Sequence, residues 1–228
     1  MGHHHSQGAA RREHGAGDEA QRALLGRGVA LATVAAILLA AGESRRMGSP
    51  KPLLDWGGET LIEYQARQLR EAGADPIIVV LGYRADEVAP LIADRAVVNA
   101  SFAEGRATSV RAGAAELPAD AAAVVVLSVD EPRPSYVLRR LIDEHAAQGA
   151  LITLPTHEGV RGHPPVFDAS LIPELRGVDD ETQGMRAIVA RHEAEVFELE
   201  FDSPVVVTGM NTPEEYERAK AYFERVVP

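Results

Sequence analysis

The sequence lacks cysteine altogether, which excludes disulfide bonds and thiolate metal sites. This absence agrees with a reducing compartment, and we expect the protein to be cytoplasmic. The chain also lacks an excess of basic residues: its formal net charge is −11. Nucleic acid is therefore disfavoured as the main partner, because phosphate backbones bind basic surfaces. An acidic chain can still bind a nucleotide where cations are local or a metal ion intervenes.

A membrane-spanning run is also missing, because the almost wholly apolar stretch 29–41 is too short to cross a bilayer. A secretory signal core is the alternative interpretation of this stretch. Against it, the preceding segment mixes acids and bases, and cleavage near Ala41 would cut the loop described below. We interpret residues 32–39 as a buried central strand of a parallel sheet. Residues 1–28 are polar and Gly- and Ala-rich with three consecutive histidines, which predicts a disordered arm or tag remnant.

The 228 residues contain no evident internal repeat or linker, so we predict one domain over residues 29–228. Apolar runs alternate with amphipathic segments, which predicts a doubly wound, mostly parallel α/β sheet of Rossmann-like type. Ligands of such sheets bind at the carboxyl ends of the strands. The turn-rich segment 156–181 is expected to form a lid or insertion. Further strands are predicted at 76–82, 96–99, 121–129, 150–154, 196–201 and 205–208, with 164–168 restricted by proline to an edge or a strand start.

The loop after the first strand combines glycines with cations. Gly42 and Gly48 allow backbone N–H groups to approach a ligand closely. Arg45 or Arg46 can donate paired hydrogen bonds to phosphate oxygens, and Lys51 adds a point charge. The glycine spacing is neither that of a Walker loop nor that of a dinucleotide fingerprint. From the residues alone, a phosphate site and a basic surface loop remain open.

The same loop belongs to a longer motif, Leu39-Ala-Ala-Gly-Glu-Ser-Arg-Arg-Met-Gly-Ser-Pro-Lys-Pro-Leu-Leu54. It resembles, without gaps, the pattern Leu-Ala-Ala-Gly-x-Ser-x-Arg-Met-Gly-x-x-Lys-x-Leu-Leu of the molybdenum cofactor nucleotidyltransferases, the MobA-like NTP transferase family. The resemblance implies that Arg46 and Lys51 bind phosphate, with Arg45 at a variable position. It also implies a nucleotide site lined by Leu39, Ala40, Ala41 and Gly42.

Asp130 directly follows a strongly apolar predicted strand. A carboxylate there either caps the next turn or holds Mg²⁺, which prefers one or two carboxylates together with phosphate oxygens. The segment Asp130-Glu-Pro-Arg133 resembles the family's Asp-x-Pro-(Arg) motif, whose aspartate binds the metal. Val129 and Glu131 depart from the residues usual on either side of it.

Three further segments have both a structural interpretation and one that the resemblance implies. Asn99 and Ser109 suit a turn and a capped helix, and they match a family segment that lines the nucleotide pocket. His163, between Gly162 and Pro164, suits a turn, and the family has a Gly-His-Pro near the acceptor. Asn211 precedes the helix-capping pair Thr-Pro, and it stands where the family has a second metal-binding aspartate.

The resemblance implies a Mg²⁺-dependent nucleotidyltransferase in which Arg46, Lys51 and Asp130 carry the chemistry. The implied substrates are an NTP, CTP in particular because of the Ala-Ala-Gly form, and molybdopterin as the acceptor. A molybdoenzyme that receives the product is a further implied partner. Two alternatives stay open: a sugar- or polyol-phosphate nucleotidyltransferase, and a non-catalytic protein that binds a nucleotide or cofactor and delivers it.

Overall fold

The computed structural model describes Met1 and residues 33–226, and the predicted arm 1–28 lies outside the described residues. Ten strands form one large mixed sheet and one small hairpin. The strands are β1 (Thr33–Ala40), β2 (Asp55–Trp56), β3 (Glu59–Thr60), β4 (Ile77–Leu81), β5 (Arg95–Val98), β6 (Ala121–Ser128), β7 (Ile152–His157), β8 (Val160–Arg161), β9 (Val166–Asp168) and β10 (Val196–Glu200).

The large sheet has the order β10-β7-β9-β6-β1-β4-β5, with β8 paired to β7 outside this path. β1 lies parallel to both β4 and β6 near the middle. β9 is antiparallel to both of its neighbours, β6 and β7. The prediction of a doubly wound, mostly parallel α/β sheet is confirmed.

Helices cover both faces of the sheet. β1 shows why its sequence is apolar throughout: Ala36 and Leu38 pack into one core, and Ala35 and Ile37 into the other. Alternate side chains of a strand point to opposite faces, so a strand covered on both sides must be apolar at every position. The helices are α1 (Leu61–Glu71), α2 (Ala85–Val88), α3 (Arg106–Ala115), α4 (Ser135–Gln148), α5 (Ile172–Arg176), α6 (Met185–Arg191) and α7 (Pro213–Val226).

Local signals in the sequence set several helix ends. α1 begins with a capping box, in which Thr60 and Glu63 each accept a hydrogen bond from the other's backbone N–H. α4 ends at Gly149, whose left-handed conformation at φ 59° suits glycine. None of the helices in the described part of the chain has the length and apolarity needed to cross a membrane.

Two predictions about the fold are wrong, and a third is confirmed in one of its two alternatives. Residues 205–208 are not a strand, because Pro204–Val207 forms a 3₁₀ turn capped by the Ser203 hydroxyl. Segment 156–181 is not an insertion, because it supplies β8, β9 and α5. β9 starts directly after Pro164 and Pro165, as predicted for a strand start, but it lies inside the sheet and not at an edge.

Candidate active site

The loops that carry the predicted residues meet at one edge of the sheet. The parallel pairing of β1 with β6 runs as far as Leu39 opposite Ser128. One residue later, Val129 N–H donates to the Leu39 carbonyl at 2.9 Å. The chain therefore leaves both strands side by side, and the loop after β1 faces the turn at Asp130.

The loop after β1 is held by backbone contacts at its start and its end. Ala41 O accepts from Tyr83 N–H at 3.0 Å, and a Cβ on Gly82 would lie 2.7 Å from the same oxygen. Only glycine allows this approach. At the other end, Lys51 N–H donates to the Ser44 hydroxyl at 3.1 Å. Lys51 thereby begins a short 3₁₀ turn at the inner side of the loop.

Lys51 joins three segments that are distant in sequence. Its Nζ lies 2.6 Å from Asp130 Oδ2 and 3.1 Å from Asn211 Oδ1. The Lys51 side chain is 12% exposed and that of Asp130 is 28% exposed, so the pair is partly shielded from water. The structure thus brings together the predicted phosphate-binding lysine and both predicted metal ligands.

The buried side-chain amide of Gln65 forms hydrogen bonds with the backbone of the turn at Asp130. Gln65 Nε2 donates to the Glu131 carbonyl at 2.8 Å, and Gln65 Oε1 accepts from Arg133 N–H at 3.1 Å. Gln65 is fully buried on α1. Its place on the apolar stripe of this helix, four residues after Leu61, was a signal in the sequence that we did not use.

Arg133 holds the other side of the same turn. Its guanidinium is 1% exposed and donates to the carbonyls of His163 at 2.7 Å, Val206 at 2.9 Å and Thr208 at 2.9 Å. Burial lowers the pKa of Arg133 to about 10, against the opposing effect of Glu131 and Asp130. The group is therefore charged at neutral pH, and it ties the Asp130 turn to two loops.

Replacing Arg133 with methionine is expected to lower the free energy of unfolding by about 3 kcal/mol or more, because each buried carbonyl left without a donor costs ~1–3 kcal/mol. The midpoint of urea unfolding, at constant m-value, measures the change. Arg139→Met, on the exposed face of α4, is the matched control and should change stability by less than about 0.5 kcal/mol. Equal effects of the two substitutions would contradict the role given to Arg133.

A smaller cavity of about 270 Å³ opens beside Lys51 and Asp130. Leu39, Ala40, Ala41 and Gly42 line it, and so does Ser109. Backbone from the end of β1 therefore forms one wall, and the first turns of α3 form the opposite wall. Its further lining residues include Ser44, Phe102, Gly105 and Arg106.

Two predicted residues lie outside the lining of this cavity. Asn99 is buried, and its Nδ2 donates to Thr108 Oγ1 at 2.8 Å and Ser109 Oγ at 3.0 Å. It therefore orients the Ser109 hydroxyl from behind. Arg46 is exposed on the loop and forms no ion pair within residues 33–226. The roles of these two residues in binding remain predictions.

A larger cavity of about 780 Å³ lies next to the smaller one, between α3, α6 and the start of β9. Gly162 and His163 line it, whereas Pro165 takes the place predicted for Pro164. Burial lowers the pKa of His163, and the Glu131 carboxylate, 3.8 Å from its Nε2, opposes this shift. His163 Nδ1 and Glu131 Oε2 are both buried, and neither has a hydrogen-bond partner among residues 33–226.

The side-chain oxygens that contact Lys51 are of the kind that bind a hard divalent cation. Asp130 supplies a carboxylate and Asn211 an amide oxygen, and both point at the same Lys51 ammonium. Mg²⁺ binds through one or two such oxygens when phosphate and water complete its shell. Within residues 33–226, no cluster of three or more His, Cys, Asp or Glu side chains suits a metal ion. Asp130 and Asn211 could therefore supply only two of the oxygens, and phosphate or water would have to complete the shell of a cation here.

A comparison with family models matches residues 36–196 to the MobA-like NTP transferase domain. The chain is 34% identical over 174 residues to nicotine blue oxidoreductase of Paenarthrobacter nicotinovorans, covering 70% of this chain and 82% of that one. It is 23% identical over 205 residues to molybdenum cofactor cytidylyltransferase of Escherichia coli, covering 86% of this chain and 100% of the relative.

Among solved structures, Rv0371c of Mycobacterium tuberculosis is similar with a TM-score of 0.73 and 30% identity, over 83% of this chain and 99% of the other. A structure of Rv0371C described as a complex with manganese has a TM-score of 0.69 and 26% identity, over 83% and 98% of the two chains. Both similarities extend over nearly the whole of the other chain.

Proposed function

Because this chain belongs to the MobA-like NTP transferase family of nucleotidyltransferases, we propose that it transfers CMP from CTP to molybdopterin and releases pyrophosphate. The match to the family model over residues 36–196 confirms the family that the loop motif predicted. The specific substrates rest on the Ala40-Ala41-Gly42 form of the loop and on the Escherichia coli relative, which is named a cytidylyltransferase. The single observation that carries the proposal is the Lys51, Asp130 and Asn211 cluster beside the smaller cavity.

The reaction needs positioning and charge neutralisation more than a strong base. An oxygen of the acceptor phosphate forms a bond to the α-phosphorus, and the bond from that phosphorus to the β-phosphate oxygen breaks. Pyrophosphate leaves with the electron pair. The attacking phosphate monoester is already ionised near neutral pH, because its second pKa is about 6. The protein therefore supplies orientation and preorganised charge.

The residues take the following roles in this proposal. Lys51 and Arg46 bind the β- and γ-phosphates and stabilise the leaving pyrophosphate. Leu39, Ala40, Ala41 and Gly42, with Ser109 held by Asn99, bind the base and ribose. Asp130 and Asn211 hold Mg²⁺, which when bound neutralises phosphate charge. The acceptor lies in the larger cavity against Gly162 and His163.

The test is pyrophosphate release with each of the four common NTPs, with molybdopterin, with dephosphorylated molybdopterin and without an acceptor. We expect release only with CTP and phosphorylated molybdopterin, with the cytidine dinucleotide identified by mass. Faster turnover with a sugar or polyol phosphate would move the enzyme to the alternative class of acceptors. CTP binding without turnover on any acceptor would favour a delivery protein.

A redox activity is a second candidate, because one relative of 34% identity is named an oxidoreductase. The observation in its favour is that Asn211 supplies no charge where the family motif has an aspartate, so the site presents Asp130 alone. Oxidation of a reduced nicotinamide nucleotide by a heteroaromatic dye, followed at 340 nm in the absence of any NTP, tests this activity. No oxidation above the rate without protein would exclude it.

Replacing Asn211 with aspartate is expected to lower the Mg²⁺ concentration needed for half-maximal rate, by about tenfold for one added ligand charge. The reason is that the Asn211 side chain faces the same ammonium as Asp130. The rate of pyrophosphate release over a Mg²⁺ titration measures the shift. Gln148→Glu adds the same charge at the exposed end of α4, outside the lining of both cavities, and is a control that should produce no such shift. An unchanged Mg²⁺ requirement in the Asn211 variant would place this residue outside the metal site.

A further inference from the structure

Arg106 lies where the two cavities meet. It is the first residue of α3, and among the described residues it is the only one that lines both the smaller and the larger cavity. Its Nη2 donates to the hydroxyl of Ser128, a buried residue at the end of β6 and two positions before Asp130. The side chain is therefore anchored to the strand that carries the predicted metal ligand.

The guanidinium of Arg106 forms no ion pair within the described part of the chain. No carboxylate among residues 33–226 lies within ion-pairing distance of its guanidinium, whereas seven other arginines in this part of the chain have such a partner. Arg161, for comparison, lines the same larger cavity but is paired with Glu193 and Glu198. An exposed guanidinium with one anchor and no counter-charge keeps donors available for an anionic group.

Apart from Arg106, the lining of the larger cavity includes several apolar side chains. Val110, Leu154, Phe167 and Val189 line it with apolar side chains from both α3 and α6 and from the sheet. Its volume of about 780 Å³ is that of a site for a drug-sized ligand. Asp180, Arg186 and Glu193 also line it, so the cavity suits an extended acceptor that has a planar body together with polar or charged groups.

We propose that Arg106 binds the phosphate of the acceptor and orients its attacking oxygen toward the α-phosphorus, while the body of the acceptor lies on the apolar wall. This inference rests on the proposed function for the identity of the reaction. Arg106 lies at the junction of the two cavities, and the proposed transfer requires a group there. The attacking oxygen belongs to an acceptor in the larger cavity, and it forms its new bond to a phosphorus in the smaller cavity. Nothing in the loop motif or in the motif at Asp130 assigns this residue.

The first test measures binding without turnover. The probes are a fluorescent pterin carrying a phosphate monoester and the same pterin without phosphate, titrated in the absence of NTP. The wild type should bind the phosphorylated probe about 10–100-fold more tightly, the contribution of a charge-assisted bidentate pair. Arg106→Gln, which keeps a donor for Ser128, should lose this difference. Arg95→Ala, an exposed arginine outside both cavities, should retain it.

The second test measures turnover. With CTP saturating, Arg106→Gln should lower kcat by about 10²–10³-fold, as for other preorganised donors to a reacting phosphate or oxyanion. Retention of the full preference for the phosphorylated probe by Arg106→Gln would overturn the inference, whatever the activity. A wild type that releases no pyrophosphate but discriminates the two probes through Arg106 would instead refute the proposed reaction and leave the phosphate contact established.

Discussion

Replacing Asp130 with asparagine is expected to lower the rate of pyrophosphate release by about 10²–10³-fold, the effect of removing several kcal/mol of charge stabilisation from a phosphoryl transition state. Asp130 lines the smaller cavity, and its carboxylate is the only one that pairs with Lys51 among the described residues. Asparagine retains the shape and the capacity to cap a turn, so a residue that only caps would lose nothing. The rate of pyrophosphate release therefore distinguishes a metal ligand from a residue that only caps the turn.

The assay follows pyrophosphate release over a range of Mg²⁺ concentrations. Asp120→Asn is the matched control, because Asp120 is exposed in the turn at the opposite end of β6 and lines neither cavity. It should leave both the rate and the Mg²⁺ dependence at wild-type values. If Asp130→Asn behaves in the same way, Asp130 is a turn residue and the proposed centre of the site is wrong.

The structure also changes what the same variant should do to stability. Considered without a partner, Asp130 beside Glu131 suffers like-charge repulsion, which predicts that neutralising it stabilises the fold. The Lys51 ammonium at 2.6 Å reverses this expectation, because the substitution leaves a largely buried cation without its carboxylate. We expect a loss of about 1 kcal/mol or less, since Asp130 is partly exposed and water screens the pair. Urea unfolding of the unliganded protein measures it.

Replacing Lys51 with alanine is expected to lower turnover by about 10²–10³-fold with CTP saturating, because a preorganised charge at the leaving pyrophosphate is lost. The fold should remain, because Lys51 lies in a 3₁₀ turn whose backbone contact to Ser44 does not depend on its side chain. A Lys51→Arg variant keeps the charge and should retain more activity than the alanine variant.

The chain offers a natural control for this experiment. It contains only two lysines. The other, Lys220 on α7, forms an ion pair with Asp55 and lies outside the lining of both cavities. Lys220→Ala removes the same side chain and should leave kcat within twofold of the wild type. Near-normal turnover of Lys51→Ala at saturating CTP would end its assignment to the phosphate site.

The alternation of apolar runs with amphipathic segments was enough to predict the class of fold. Side-chain periodicity is a local property, so β1, β4 and β6 were predicted within one residue of their true ends. The hairpin of β2 and β3 was missed, although Gly57 and Gly58 at positive φ are a local turn signal. The loop motif and the aspartate after β6 were recognisable for the same reason, because each is contiguous in the chain.

By itself, the sequence determined the fold class, the glycine- and cation-bearing loop, and the family to which the chain belongs. The tertiary structure alone decided which distant residues meet: Asn211 with Lys51, Gln65 and Arg133 beneath the Asp130 turn, and Arg106 between the cavities. It also placed the antiparallel β9 inside a parallel sheet. These contacts join segments separated by tens to more than a hundred residues, and no local period or spacing records such a pairing. The physical reason is that burial and hydrogen bonding are satisfied by the folded whole, so a lone polar residue acquires its role from neighbours that arrive from elsewhere in the chain.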